Sequence, residues 1–318
     1  MFQFLRPARS TLLALLTAGL LGTALTGCGS VLPDPVTQLQ PLPSLPAQPG
    51  GFLDVNGARI AYTSVGTGTP VLLLHGYPLS GELFARNRDA LAAAGYRVIT
   101  IDHRGYGNST APASNPGSIQ TYAQDALAVL DQLGVQQAII GGMSMGGPIV
   151  FEMYRQAPQR FLGMILIDTT AAPAPPPEAG LWRGTAELVQ NQGVSALPPA
   201  LLKDMLTGRT RVNGTANLET YLTSMITQSS VAGAVAGAQA LANRPDSRPT
   251  LPTITVPTLV IVGIEDTIYP VSVSREMAQA IPDAEVAVLP ASAHAAILEN
   301  APAANAAILA WATANTLR

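Results

Sequence analysis

The residues of this chain best suited to chemistry are one serine between glycines, three histidines, and a few acids at the ends of apolar runs. Ser144 stands in Gly142-Met143-Ser144-Met145-Gly146. Ile139 and Ile140 precede it, and Ile149, Val150, Met153 and Tyr154 follow at helical spacing. A chain that turns sharply from strand to helix lifts a serine hydroxyl above the sheet edge. The backbone is strained there, and glycines two places before and after the serine relieve the crowding. A serine hydroxyl is a poor nucleophile until a base takes its proton, and that base needs a carboxylate to hold its tautomer and stabilise its charged form. The three histidines are His75, His103 and His294. The first two sit in glycine-containing loops, each just after an apolar run. Asp168 ends the run 162–167, and Asp266, with Glu265 beside it, follows the run 258–262.

The elements that must hold these groups can be read from the order of the patterns. Strands are expected at 58–64, 71–74, 96–101, from 139 into Ser144, at 162–167, 258–262 and 285–289. Helices are expected at 82–94, 121–133, after Ser144, at 271–280 and at 302–315. The continuous apolar run 71–74 suits a strand buried on both faces, and strand alternating with helix argues a doubly wound, mostly parallel sheet. The alternation breaks at 171–250. That stretch opens with Pro173, Pro175, Pro176 and Pro177 and carries helical patterns at 181–192 and 218–241, so it reads as an inserted helical cap. The expected division is therefore an α/β core at 52–170 and 251–318 with a cap at 171–250.

In this order the motifs resemble those of the α/β-hydrolase superfamily, over about residues 52 to 318. They are His75-Gly76-Tyr77-Pro78, Asp102-His103-Arg104-Gly105-Tyr106-Gly107-Asn108-Ser109, the glycine-flanked Ser144, Gly263-Ile264-Glu265-Asp266 with Pro270, and the late His294. The family's order of nucleophile, acid and base implies Ser144 as nucleophile and His294 as base. Asp266 is the preferred acid, with Glu265 next to it and Asp168 in reserve, since some members carry the acid on the earlier strand. The resemblance also implies an oxyanion hole made by the backbone amides of Tyr77 and Met145. Asp102 and Arg104 fit a packing or salt-bridge role, and His75 a loop-holding one. Met143, Trp182, Tyr221 and Met225 are candidates for substrate contact. The chain departs from common family forms at Met143, at Ala293, and at Pro302, which falls one place later than usual after Glu299.

The N-terminus carries a different signal. Arg6 and Arg9 precede an apolar segment at 12–25, which ends in Leu25-Thr26-Gly27-Cys28. That ending resembles the lipobox of bacterial lipoproteins. It implies a signal peptide at 1–27 and lipid attachment at Cys28, the single cysteine of the chain. Residues 28–51, rich in proline, read as a stiff tether. Charged residues make up 12% of the chain, the net charge is −3, and no basic run occurs, which argues against a nucleic-acid partner.

These observations lead to an expectation of an exported, membrane-anchored serine hydrolase acting on small carboxylic esters or lactones, needing no cofactor and no metal. Relatives that act as perhydrolases (cofactor-free haloperoxidases), carbon–carbon bond hydrolases or acyltransferases share the pattern. A non-catalytic binding module on the same fold is the alternative of another class, and the intact Ser144, Asp266 and His294 argue against it.

Overall fold

A computed structural model describes residues 42–45, 47–212 and 217–317. Cys28, the expected signal segment 1–27 and most of the expected tether lie outside the described residues. The chain runs β1 (Gly51–Val55), β2 (Ala58–Val65), β3 (Thr69–Leu74), α1 (Ala85–Ala93), β4 (Tyr96–Ile101), α2 (Ile119–Gln132), β5 (Ala138–Met143), α3 (Gly146–Gln156) and β6 (Phe161–Ile167). It continues with α4 (Pro176–Gln192), α5 (Pro198–Met205), α6 (Gly208–Val212), α7 (Leu218–Thr227) and α8 (Val231–Ala242). The last elements are β7 (Thr258–Gly263), α9 (Val271–Ala280), β8 (Ala284–Leu289), α10 (Ala296–Glu299) and α11 (Ala301–Ala314).

The eight strands form one sheet in the order β1-β2-β4-β3-β5-β6-β7-β8. Strands β3 to β8 are parallel, and only β2 runs against its neighbours. Every residue of β5 and β7 is buried, as an unbroken apolar run in a sheet covered on both faces requires. Edge strand β1 instead alternates half-buried and exposed residues. It was not expected from the sequence, yet the signal is there. Asn56-Gly57 joins β1 to β2 with φ of 47° and 76°, and a two-residue Asn-Gly link with both φ positive is a preferred hairpin turn.

The described end of the proline-rich segment does not project from the domain. Leu42 and Leu45 pack against the core, and the Asn108 side-chain amide donates to the Ala47 carbonyl at 3.0 Å.

Between β6 and β7 lies the helical insertion. The single helix expected over 218–241 is two helices, α7 and α8. They part at Gln228-Ser229-Ser230, where the Ser230 hydroxyl caps α8 by accepting from the Gly233 amide. Helix α4 begins earlier than expected because a proline is well tolerated in the first helical turn. The insertion is fastened to the core at several points. The Tyr106 hydroxyl donates to Gly233 O at 2.9 Å, Ser230 N donates to Gly105 O at 2.8 Å, and the Tyr221 hydroxyl donates to Glu82 O at 3.0 Å.

In a parallel sheet the strands' carboxyl ends share one edge, and here the loops carrying His75, Ser144, Asp168, Asp266 and His294 all leave from that edge.

Candidate active site

Ser144 follows the last residue of β5, and α3 starts two residues later. Its φ is 52°, a left-handed conformation that costs a non-glycine residue about 1–3 kcal/mol. Hydrogen bonds hold it there. Ser144 N donates to Ile167 O at 2.9 Å, and Ser144 O accepts from Gly147 N at 2.9 Å and from the Thr169 hydroxyl at 2.7 Å. The flanking glycines are required by contact. A β-carbon on Gly142 would strike the Gly146 carbonyl, and one on Gly146 would strike the Leu74 carbonyl.

His294 Nε2 lies 3.0 Å from Ser144 Oγ, and His294 Nδ1 lies 2.9 Å from Asp266 Oδ2. Both side chains are nearly sealed from solvent, while Ser144 is half-buried. The other oxygen of Asp266 accepts from the amides of Ile268 at 2.8 Å and Tyr269 at 3.1 Å. These two bonds fix the carboxylate's orientation and leave Oδ2 for the imidazole. With Nδ1 donating to Asp266, Nε2 is the basic nitrogen and faces the serine hydroxyl.

Of the three acids considered, the structure brings Asp266 to His294. Glu265 is exposed and points to Arg209, at 3.9 Å. Asp168 is fully buried, and its Oδ1 accepts from Gly263 N at 2.8 Å. Burial, reinforced by the nearby charge of Asp266, pushes its carboxyl well above the ordinary range.

The amides of Tyr77 and Met145 do not donate to any protein group among the described residues. Met145 lies at the N-cap of α3, where amides lack helical partners and the helix dipole favours negative charge. The loop carrying Tyr77 is held from behind by two histidines. His75 Nδ1 donates to Gly76 O at 2.9 Å, and His75 Nε2 accepts from His103 N at 2.9 Å. Burial lowers His75 to about 4 despite the bond to Gly76, and lowers His103 well below the usual histidine range, so both are neutral near pH 7. Arg104 and Asp125, both fully buried, form a two-pronged ion pair at 2.6 and 2.7 Å. Asp102 accepts from the amides of Gly81 and Asn108, and ties the loop after β4 to the segment that leads into α1.

The four residues considered for substrate contact separate. Trp182 packs edge-on against Tyr77 with ring centroids 5.4 Å apart, and its indole donates to Glu178 at 3.0 Å. Glu178 is paired with Arg244, and the Tyr269 ring lies 5.7 Å from that of His294. Trp182 therefore belongs to a wall of the insertion that reaches the histidine through Glu178 and Tyr269. Met143 is buried under Gly76, next to the serine. Tyr221 and Met225 instead serve the packing of the insertion: the Tyr221 hydroxyl is taken up by Glu82 O, and Met225 is fully buried. Thr169, Glu178, Arg244 and Tyr269 were not singled out in the sequence, because ordinary loop and helix positions carry no spacing signal.

Comparison with known proteins agrees with this fold. Residues 69–301 match the family model described as the alpha/beta hydrolase fold. The solved structure of a thermophilic esterase from Thermogutta terrifontis is 31% identical with a TM-score of 0.78, over 83% of this chain and 97% of that one. A bromoperoxidase from Bacillus anthracis is 27% identical with a TM-score of 0.73, over 80% of this chain and 96% of that one. Among curated proteins, 3-oxoadipate enol-lactonase 2 of Acinetobacter baylyi is 32% identical over 213 residues, which is 67% of this chain and 77% of the relative.

Proposed function

This chain belongs to the alpha/beta hydrolase fold family, and from that premise we propose that it is a serine hydrolase that forms an acyl-enzyme on small carboxylic esters or lactones. The observation that carries the reading is the unbroken line from Ser144 Oγ through His294 to Asp266, with links of 3.0 and 2.9 Å. In the proposed reaction Ser144 Oγ adds to the carbonyl carbon while His294 Nε2 takes its proton. Asp266 keeps the proton on Nδ1 and balances the imidazolium. The carbonyl oxygen becomes an alkoxide facing the amides of Tyr77 and Met145, and each such donor contributes about 3 kcal/mol. The intermediate collapses as the imidazolium gives its proton to the leaving alkoxide, which departs from an ester or stays tethered in a lactone. Water then repeats the sequence on the acyl-enzyme.

The esterase and enol-lactonase relatives support esters and lactones as the substrate class. The bromoperoxidase relative supports a second acceptor: hydrogen peroxide in place of water would release a peracid from the same acyl-enzyme. We further propose that the protein is exported and acylated at Cys28, supported by the order of charge, apolar run and Leu-Thr-Gly-Cys. Equal incorporation of an alkyne fatty acid by the native protein and its Cys28→Ser variant would remove that proposal.

The deciding experiment is fluorophosphonate labelling, with hydrolysis of p-nitrophenyl acetate and butyrate, on the full-length protein and its Ser144→Ala variant. The variant is expected to lose labelling and at least about 10³-fold in kcat. Labelling that survives in the variant would move the nucleophile elsewhere.

A further inference from the structure

We infer that Glu299 is a positioning residue that couples the helical cap to His294, so that docking of the cap helps to set the place of the base. The inference rests on the reading of His294 as base given above.

Glu299 ends α10, five residues after His294, and its two carboxylate oxygens take three donors from two parts of the chain. Oε1 accepts from Thr207 N at 2.9 Å and from the Thr207 hydroxyl at 2.8 Å, and Thr207 lies in the cap just after α5. Oε2 accepts from Ala293 N at 2.7 Å, the amide directly before the histidine. The next two amides go straight to the cap. His294 N donates to Asp204 O at 3.3 Å and Ala295 N to Met205 O at 2.8 Å. Asp204 and Met205 are in the last turn of α5, where carbonyls have no partner within the helix. Three consecutive amides around the histidine are thus held by the cap, or by a carboxylate that also holds the cap. The nearest ties to the core are Glu265 N to Ser292 O at 2.9 Å, the Ala296 amide to the Asp168 carboxylate, and the Asp266 side chain itself.

The residue type matters. An ionised carboxylate only accepts, and it has lone pairs enough for three donors. A glutamine of the same shape must turn an NH₂ towards the amide of either Thr207 or Ala293, neither of which can accept, even where the Thr207 hydroxyl rotates to do so. One side of the bridge then breaks. If the 204–207 segment lifts away, the loop at 293–295 loses its partners and the 3.0 Å contact between His294 and Ser144 lengthens.

The test uses the full-length Glu299→Gln and Thr207→Val variants. Thr207→Val removes one hydroxyl on the cap, keeps the Thr207 amide, and touches no reacting group. kcat and KM for p-nitrophenyl butyrate, the rate of fluorophosphonate labelling and the thermal midpoint are measured. The low-field proton resonance of the hydrogen bond between His294 and Asp266 is followed alongside. Glu299→Gln is expected to lower kcat and labelling together by about 10- to 100-fold, the scale of a misplaced catalytic group, with KM nearly unchanged. Thr207→Val should act in the same direction but less. The double variant should be no worse than Glu299→Gln alone, because both break one bridge. Native kcat and labelling in Glu299→Gln with only a lowered midpoint would overturn the inference, as would additive losses in the double variant. Should Glu299→Gln fail to fold, Thr207→Val decides by the same readings. Loss of labelling in Ser144→Ala with a native-like Glu299→Gln refutes the coupling alone. Labelling that survives in Ser144→Ala refutes the reading beneath it.

Discussion

Replacing His75 should make the protein less sensitive to acid. His75 is fully buried behind the loop that carries Tyr77, with Nδ1 donating to Gly76 O and Nε2 accepting from His103 N. Adding a proton to Nε2 would place a charge in an apolar site and break the bond from His103, and burial accordingly lowers the group from 6.5 to about 4. The unfolded chain takes up that proton near pH 6.5 and the native one only near pH 4. The associated stability is full above pH 6.5 and is lost as pH falls to about 4. Linkage over 2.5 pH units amounts to about 3 kcal/mol in total, and to about 2 kcal/mol between pH 7 and pH 5. Asp102 works in the opposite direction. Burial raises its carboxyl to about 6, above the unfolded 3.8, so the native state takes up this proton first and gains about 1 kcal/mol over the same interval. His103, lowered by burial, adds to the first effect and Asp168, raised by burial, to the second, so the comparison between variants is the informative quantity. Urea unfolding of the native protein, His75→Gln and His75→Asn at pH 7 and pH 5 makes it. Both variants start less stable at pH 7, because the bond from His103 changes. Between pH 7 and pH 5 they should lose about 2 kcal/mol less than the native protein. Parallel pH dependence in all three would refute the reasoning.

Two further outcomes follow from close packing and charge. Gly146→Ala should fold with a distorted turn and lose at least about 10²-fold in kcat, because the new methyl strikes the Leu74 carbonyl beside the loop that carries Tyr77. Ester hydrolysis with circular dichroism checks it, and a native kcat would show that the turn can yield. Asp125→Asn should lose about 3 kcal/mol in urea unfolding, since it leaves the fully buried Arg104 guanidinium without its countercharge. A loss below about 1 kcal/mol would mean that Asn115 O, already accepting from Arg104 at 3.0 Å, suffices.

The fold was legible where sequence pattern and burial coincide. Central strands such as β5 and β7 are buried on both faces and appear as unbroken apolar runs, so their ends were readable to within a residue or two. Ser144 was readable because its turn forbids side chains two residues to either side. Edge strand β1 escaped because its five residues alternate and only one face is covered, although Asn56-Gly57 marked its turn. The cap was readable as helical but not in its pieces. Its helices bury faces against one another, and the polar break at 228–230 resembles a helix surface until Ser230 is seen capping α8. Glu299 could be noticed downstream of the histidine, but Thr207, its partner 92 residues earlier, has no local pattern to announce it.

The acid shows most clearly where sequence reasoning stops. Asp168 and Asp266 follow adjacent parallel strands, β6 and β7, at the same edge of the sheet, and either could reach a histidine beyond β8. What separates them is how the backbone engages each carboxylate. Asp266 has one oxygen held by two amides of its own turn and the other against His294 Nδ1. Asp168 has one oxygen held by Gly263 N, which ties the ends of β6 and β7 together, and is wholly enclosed. Two carboxylates this close in an enclosed site do not both ionise readily. Burial, added to the charge of Asp266, drives Asp168 towards its protonated form, in which it adds no second charge behind the histidine. In the proposed mechanism one acid thus carries the charge that an imidazolium needs, and its neighbour, driven towards neutrality, joins the strand ends that hold both.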